Sequence, residues 1–192
     1  MHQPIAKGLG ATLVAGFHVG NNTLAITHLG DSRAYLLRDA TLERLTEDHT
    51  IANMLYLAGR ITREELSKHP SRHILTRHVG MQDCPEAEVA LLPMQTNDRL
   101  LFCSDGLTGM VKENTIAEIL AYNQSREKTA KDLIASANRA GGYDNITVLV
   151  LDVSTQFNEY KPDALITVRE KVGHSLLPLK RQEQKELRED VS

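Results

Sequence analysis

The sequence predicts an α+β domain, on three observations: short alternating apolar runs crowd residues 11–45, later stretches repeat apolar residues at helical spacing, and a β-branched, almost wholly apolar run occupies 146–153. Residues 11–19 and 23–29 both read as strands, with Gly20-Asn21-Asn22 between them as a hairpin signal. A third strand is expected at 33–38. The Asp39-Ala40 turn then leads to a short strand at 42–45, so the four strands read as a β-meander.

From Ile51 the apolar residues fall at Ile51, Met54, Leu55 and Ala58, the spacing of an amphipathic helix, and Gly59 ends it. A second helix starts at Thr62, whose hydroxyl can cap it while Glu65 completes a capping box; His69-Pro70 stops it. Apolar 87–92 and 99–103 read as strands, the second running into Ser104-Asp105-Gly106. Residues 113–122 and 126–140 have helical periodicity, and Gly141-Gly142 closes the second of these. The run at 146–153 is expected to be a strand that is central or buried on both faces. Beyond Val153 the character changes: Pro162, Pro178 and the charged run from Lys180 to Asp190 mark 155–192 as a tail or linker, partly helical near its end.

At 192 residues the chain accommodates one domain plus that tail, here 1–154 and 155–192. A hydrophobic fraction of 41% and a charged fraction of 24% exclude disorder throughout. A net charge of -3 and the absence of a basic run leave nothing to neutralise a nucleic-acid backbone. Cys84 and Cys103 lack zinc-ligand spacing and make no disulfide framework, so a reducing cytoplasm is the expected location. No apolar run approaches the ~18 residues of a membrane span, so neither membrane nor nucleic acid is an expected partner.

Three aspartates sit beside glycines at the ends of expected strands: Asp31 in Gly30-Asp31-Ser32, Asp105 before Gly106, and Asp144 after Gly141-Gly142-Tyr143. A strand end fixes the backbone beneath a carboxylate, and a glycine leaves room for an ion or substrate. Each motif alone is an ordinary turn signal. Bringing two carboxylates within about 4 Å costs roughly 4 kcal/mol at an effective dielectric of 20, so convergence calls for a cation. Oxygen ligation without His or Cys suits Mg2+ or Mn2+, which can activate a water towards phosphorus.

Four motifs in order carry a resemblance: Gly8-Leu9-Gly10-Ala11-Thr12-Leu13, His28-Leu29-Gly30-Asp31-Ser32-Arg33-Ala34-Tyr35, Cys103-Ser104-Asp105-Gly106-Leu107 and Gly142-Tyr143-Asp144-Asn145-Ile146-Thr147. Together with the stretch from Ala58 to Glu65 leading to His69-Pro70-Ser71-Arg72, they resemble the type 2C metal-dependent serine/threonine protein phosphatases, in their bacterial form, over residues 7–153. The resemblance implies an antiparallel β-sandwich flanked by helices in α-β-β-α layers, with a metal centre of two to three Mn2+ or Mg2+ ions at one end. It implies that Asp105 and Asp144 are catalytic ligands of one metal, and that Asp31 with Asp105 holds a third, weaker ion. Asn145 and Gly106 would support the centre, Asn145 by orienting Asp144. Residues 50–75 match the family's mobile flap. Arg33 is expected to tie the strand end by a salt bridge rather than touch phosphate. His28, His69, His73 and His78 are expected on the surface or in packing, and Cys103 as a buried strand residue.

The implied activity is hydrolysis of phosphoserine and phosphothreonine on proteins by a metal-activated water, by a monomer serving a Ser/Thr kinase system. The family's phosphate-binding Arg strand and its Asp-Gly-x-Gly-Gly motif, whose aspartate bridges the metals, are not in this sequence. We therefore expect an N-terminally incomplete domain with impaired activity and uncovered apolar edges. Two rival readings remain: a catalytically dead phosphatase-like binding or regulatory module, and a different all-oxygen metal hydrolase.

Overall fold

The computed structural model describes residues 10–83, 85–122 and 124–154. Gly8 and Leu9 of the first motif, Cys84 and the tail at 155–192 lie outside the described residues.

Among the described residues, seven strands form two antiparallel sheets. The first has the order β1-β2-β5, from Leu13–His18, Thr23–Leu29 and Glu88–Pro93. The second has the order β4-β3-β6-β7, from Thr41–Arg44, Arg33–Arg38, Arg99–Cys103 and Val148–Asp152. The expected hairpins are both present. Asn21 and Asn22 turn the first with positive φ, as Asp39 and Ala40 turn the second. The expected meander is not: β2 and β3 belong to different sheets, and the chain crosses between them at Gly30-Asp31-Ser32. Gly30 makes the crossing possible. Its φ is +107°, and a Cβ there would lie 2.8 Å from the Cβ of Thr12.

Between the sheets Leu24 and Ile26 from one side meet Ala34, Leu36, Leu100 and Phe102 from the other. The opposite face of the four-stranded sheet packs Tyr35, Leu37, Leu101 and Val150 against helical Leu107, Ile116, Leu120, Leu133 and Ala137. These come from α3 (Asp105–Thr108), α4 (Glu113–Ala121) and α5 (Arg126–Arg139). Leu101, Leu107 and Leu133 are wholly inaccessible. Each such side chain contributes roughly 1.5–3 kcal/mol of burial, which fixes the sheet beneath the site. Among the described residues, helices cover this sheet alone. On the outer face of the three-stranded sheet Leu13, Phe17, Val89 and Leu91 are 45 to 53% exposed.

Two shorter helices, α1 (Ile51–Leu57) and α2 (Arg63–Lys68), precede β5. Thr50 caps the first by accepting from the Asn53 amide. Thr62 and Glu65 form the expected capping box of the second, with Glu65 accepting the Thr62 amide at 2.7 Å.

Among the described residues, the strand expected to be central lies instead at a sheet edge. Among those residues β7 pairs with β6 alone, and Val150 is the one buried residue of its five. Val148 and Val150 face α5, whereas Leu149 and Leu151 turn to the intersheet side, opposite Phe102 and Leu100, and remain 53% and 37% exposed. Strong β propensity reported the strand but not its place in the sheet. Asp105-Gly106, read as a turn, opens the short helix α3.

Candidate metal centre

The site forms where two strands of the second sheet meet loops at one end. At the start of β3, Ser32 and Thr12 share a hydrogen bond between their hydroxyls at 2.8 Å, which ties β1 to the sheet crossing. Asp31 is held in that crossing and is buried. At the end of β6, Ser104 joins the neighbouring loop three times. Its amide donates to Thr147 O at 3.1 Å, its hydroxyl donates to Asn145 O at 3.1 Å, and it accepts from the Thr147 amide at 3.0 Å. Asp105 follows as the first residue of α3.

A third segment completes the site. Ile51 N donates to Ile74 O at 2.9 Å, Thr76 N donates to His49 O at 2.8 Å, and Thr50 pairs with Leu75 as an isolated bridge. These bonds bring His73 to the two aspartates. One ligand atom from each of Asp31, His73 and Asp105 lies within 4.8 Å of the others.

The electrostatics fit a cation site. The Asp31 carboxyl is pushed up to about 6, first by burial, then by the charges of Asp105 and Asp48; a backbone hydrogen bond and His73 pull weakly the other way. A divalent ion would offset both the desolvation and the repulsion. Two carboxylates with one imidazole suit a divalent cation of the Mn2+ kind, and the imidazole favours Mn2+ over Mg2+.

Of the aspartates singled out in the sequence, Asp31 and Asp105 come together and Asp144 stands outside their group. Asp144 is exposed, and its Oδ1 accepts the Asn145 amide at 2.7 Å. The Asn145 contact to Asp144 is thus made by its backbone. Gly106 packs against the Asn145 carbonyl, where a Cβ would collide with it, so the Asp144 loop borders the Asp105 turn.

His73, expected on the surface or in packing, is a member of the cluster. Nothing local to Ser71-Arg72-His73 marks it, because the partnership arises from the fold of the segment onto His49 and Ile51. The other three histidines do pack or lie in loops: His28 stacks on His49, His69 caps α2, and His78 bonds Val79 O. Arg33 is committed to Asp48 through two bonds of 2.8 and 2.6 Å and donates to the Tyr35 hydroxyl at 3.1 Å. It is a salt-bridging residue at the strand end. Burial pushes the Cys103 thiol up to about 12, which leaves it an inert strand residue.

The chain is similar to known proteins in sequence and in fold. The family Protein phosphatase 2C matches residues 3–67. The serine/threonine phosphatase stp of Listeria welshimeri is 43% identical over 146 residues, which are 76% of this chain and 58% of that protein. The serine/threonine protein phosphatase PstP of Mycobacterium tuberculosis is 42% identical over 151 residues, 79% of this chain and 29% of its own length. In three dimensions the chain is similar to the crystal structure of M. tuberculosis PstP, with a TM-score of 0.72 and 40% identity over 77% of this chain and 62% of that one. The PstP catalytic domain in complex with two manganese ions superposes with a TM-score of 0.69 and 40% identity, over 77% of this chain and 60% of the other. The chain therefore spans 58% of the length of the Listeria relative that it matches.

Proposed function

The chain belongs to the type 2C protein phosphatase family, in its bacterial form, and on that premise we propose that it takes part in metal-dependent hydrolysis of phosphoserine and phosphothreonine on proteins. The convergence of Asp31, His73 and Asp105 from three separate segments carries this reading. Mn2+ or Mg2+, two to three ions in all, would supply a water activated for attack on phosphorus. Asp31 and Asp105 would hold one ion with His73 beside them, and Asp105 and Asp144 would hold a catalytic one. Gly106 keeps the two loops close, and the Asn145 amide fixes the Asp144 carboxylate. Residues 1–154 form the phosphatase-like domain and 155–192 a charged tail. The protein acts as a cytoplasmic monomer on phosphoproteins of a Ser/Thr kinase system, without nucleic acid or membrane. Its net charge of -3 supports the reading without nucleic acid, and no described helix is long and apolar enough to cross a membrane.

Manganese-dependent phosphate release from a phosphothreonine peptide tests the proposal, with the chain compared alone and extended upstream. Asp105→Asn is expected to abolish release in whichever form is active; unchanged release would end the assignment. The position of Asp144 outside the cluster favours a second reading, a phosphatase-like binding or regulatory module. That reading requires phosphopeptide binding in calorimetry with no turnover in either form.

A further inference from the structure

His49 joins the two segments that bring Asp31 and His73 together. Its amide donates to Gly30 O at 2.9 Å, and its carbonyl accepts from the Thr76 amide at 2.8 Å. Its side chain adds a third bond, because the Gly30 amide donates to His49 Nδ1 at 3.2 Å. Gly30 is the residue before Asp31, and Thr76 lies three beyond His73. The ring is pinned from the other side by His28, stacked with centroids 4.4 Å apart and planes 19° apart, and His28 Nε2 in turn meets Glu47 O at 2.7 Å.

The imidazole is held there at a cost. An Nδ1 that accepts requires the proton on Nε2, and His49 Nε2 is buried without a hydrogen-bond partner. The nearest acid, Glu88, stands 3.9 Å away and is bound by Arg77 at 2.8 Å. Burial first, then the charges of His28 and Arg77, lower the His49 pKa and keep the ring neutral. An unsatisfied buried donor costs about 1–3 kcal/mol, which an apolar side chain in the same space would not incur. The residue therefore supplies something packing alone does not, and its one side-chain bond goes to the amide that leads into Asp31.

We propose that His49 is a positioning residue of the metal centre: its Nδ1 holds the Gly30 amide and so sets Asp31 in reach of His73 and Asp105. The claim rests on the reading of Asp31 as a metal ligand.

Three variants separate positioning from packing. In His49→Asn the side-chain oxygen can stand where Nδ1 stands; in His49→Gln it falls near the Nε2 position; His49→Leu has no acceptor. All three lose the stack on His28. Hydrogen exchange of the Gly30 amide in metal-free protein, Mn2+ affinity by calorimetry and the urea unfolding midpoint are measured together. The expected result is that His49→Asn keeps Gly30 protected and binds Mn2+ within about threefold of the unaltered chain, while the Gln and Leu variants lose protection and about tenfold in affinity. The proposal is overturned if Asn leaves Gly30 unprotected, or if affinity in all three follows the unfolding midpoint alone. Failure of the unaltered chain to bind Mn2+ would instead overturn the metal reading and this claim with it.

Discussion

Gly106 lies against the backbone carbonyl of Asn145 so closely that a Cβ on Gly106 would stand 2.9 Å from the carbonyl carbon and nearer still to its oxygen. The contact joins the Asp105 turn to the loop that carries Asp144, and Ser104 bonds the same carbonyl. The obstacle is backbone, which cannot swing aside as a side-chain tip can.

Gly106→Ala is therefore expected to push the two loops apart at a cost of about 2 kcal/mol, within the range of overpacked sites. A fall in the urea midpoint would measure the cost. A weakened Mn2+ affinity beyond what Ser104→Ala produces would show that the separation of the two aspartates matters. An unchanged midpoint would mean that the loop yields freely.

Arg33 and Asp48 form a two-pronged pair whose side chains are 20% and 14% exposed. A lysine cannot reproduce both bonds, and an apolar residue leaves a largely buried carboxylate facing only the more distant Arg44, at 3.9 Å. Arg33→Lys should cost about 1–2 kcal/mol and Arg33→Met about 3 kcal/mol by denaturant titration. The double change Arg33→Met with Asp48→Leu should recover part of that loss. Equal losses for the Lys and Met variants would mean that the forked geometry contributes nothing.

The elements of this fold were legible because local chemistry announced them: the Asn21-Asn22 and Asp39-Ala40 turns, the Thr62 and Glu65 capping box, and the helical spacing of Ile116, Leu120, Leu133 and Ala137. Their assembly was less so. The pattern of β2 and β3 gives no sign that they enter different sheets, since the decision lies in the φ of Gly30 and its closeness to Thr12. Likewise Leu149 and Leu151 read as core residues, but among the described residues β7 ends the order of its sheet and the two remain exposed. In the site, Asp31 and Asp105 were visible as acidic turns at strand ends. His73 was not, because its place is fixed by long-range backbone bonds and carries no motif of its own.

Arg38 and Asp98 make a second forked pair, at 2.8 and 2.6 Å, and the Asp98 Oδ2 also accepts the Gln95 amide at 2.8 Å. Burial alone would raise the Asp98 pKa, but Arg38 and that amide outweigh it and hold the carboxyl below its ordinary value. A lowered carboxyl stabilises the fold above the unfolded pKa, about 4, and that contribution is lost as pH falls through the folded value. Asp98→Asn should then cost about 2–3 kcal/mol at pH 7, and the gap from the unaltered chain should narrow below pH 4. Urea midpoints across pH 7 to 3 check this, and a constant gap would refute it.

Asp31 carries the opposite sign. Its carboxyl is raised to about 6, so the metal-free fold favours the protonated form. The stability it supplies is complete below the unfolded pKa and is lost as pH rises through 6. In metal-free protein at pH 8 the charge is present, buried and close to Asp105, and removing it should help. Asp31→Asn is expected to raise stability there by about 1 kcal/mol, or about 3 °C in unfolding temperature, a gain that disappears by pH 4. Added Mn2+ should reverse the order, stabilising the unaltered chain more than the variant, because an amide cannot replace the carboxylate in neutralising the ion at Asp31 and the variant keeps only the ion proposed for Asp105 and Asp144. Thermal unfolding at the two pH values, with and without Mn2+, reads all four states. A variant less stable than the unaltered chain at pH 8 without metal would show that Asp31 serves the fold through its charge and is not held in readiness for a cation.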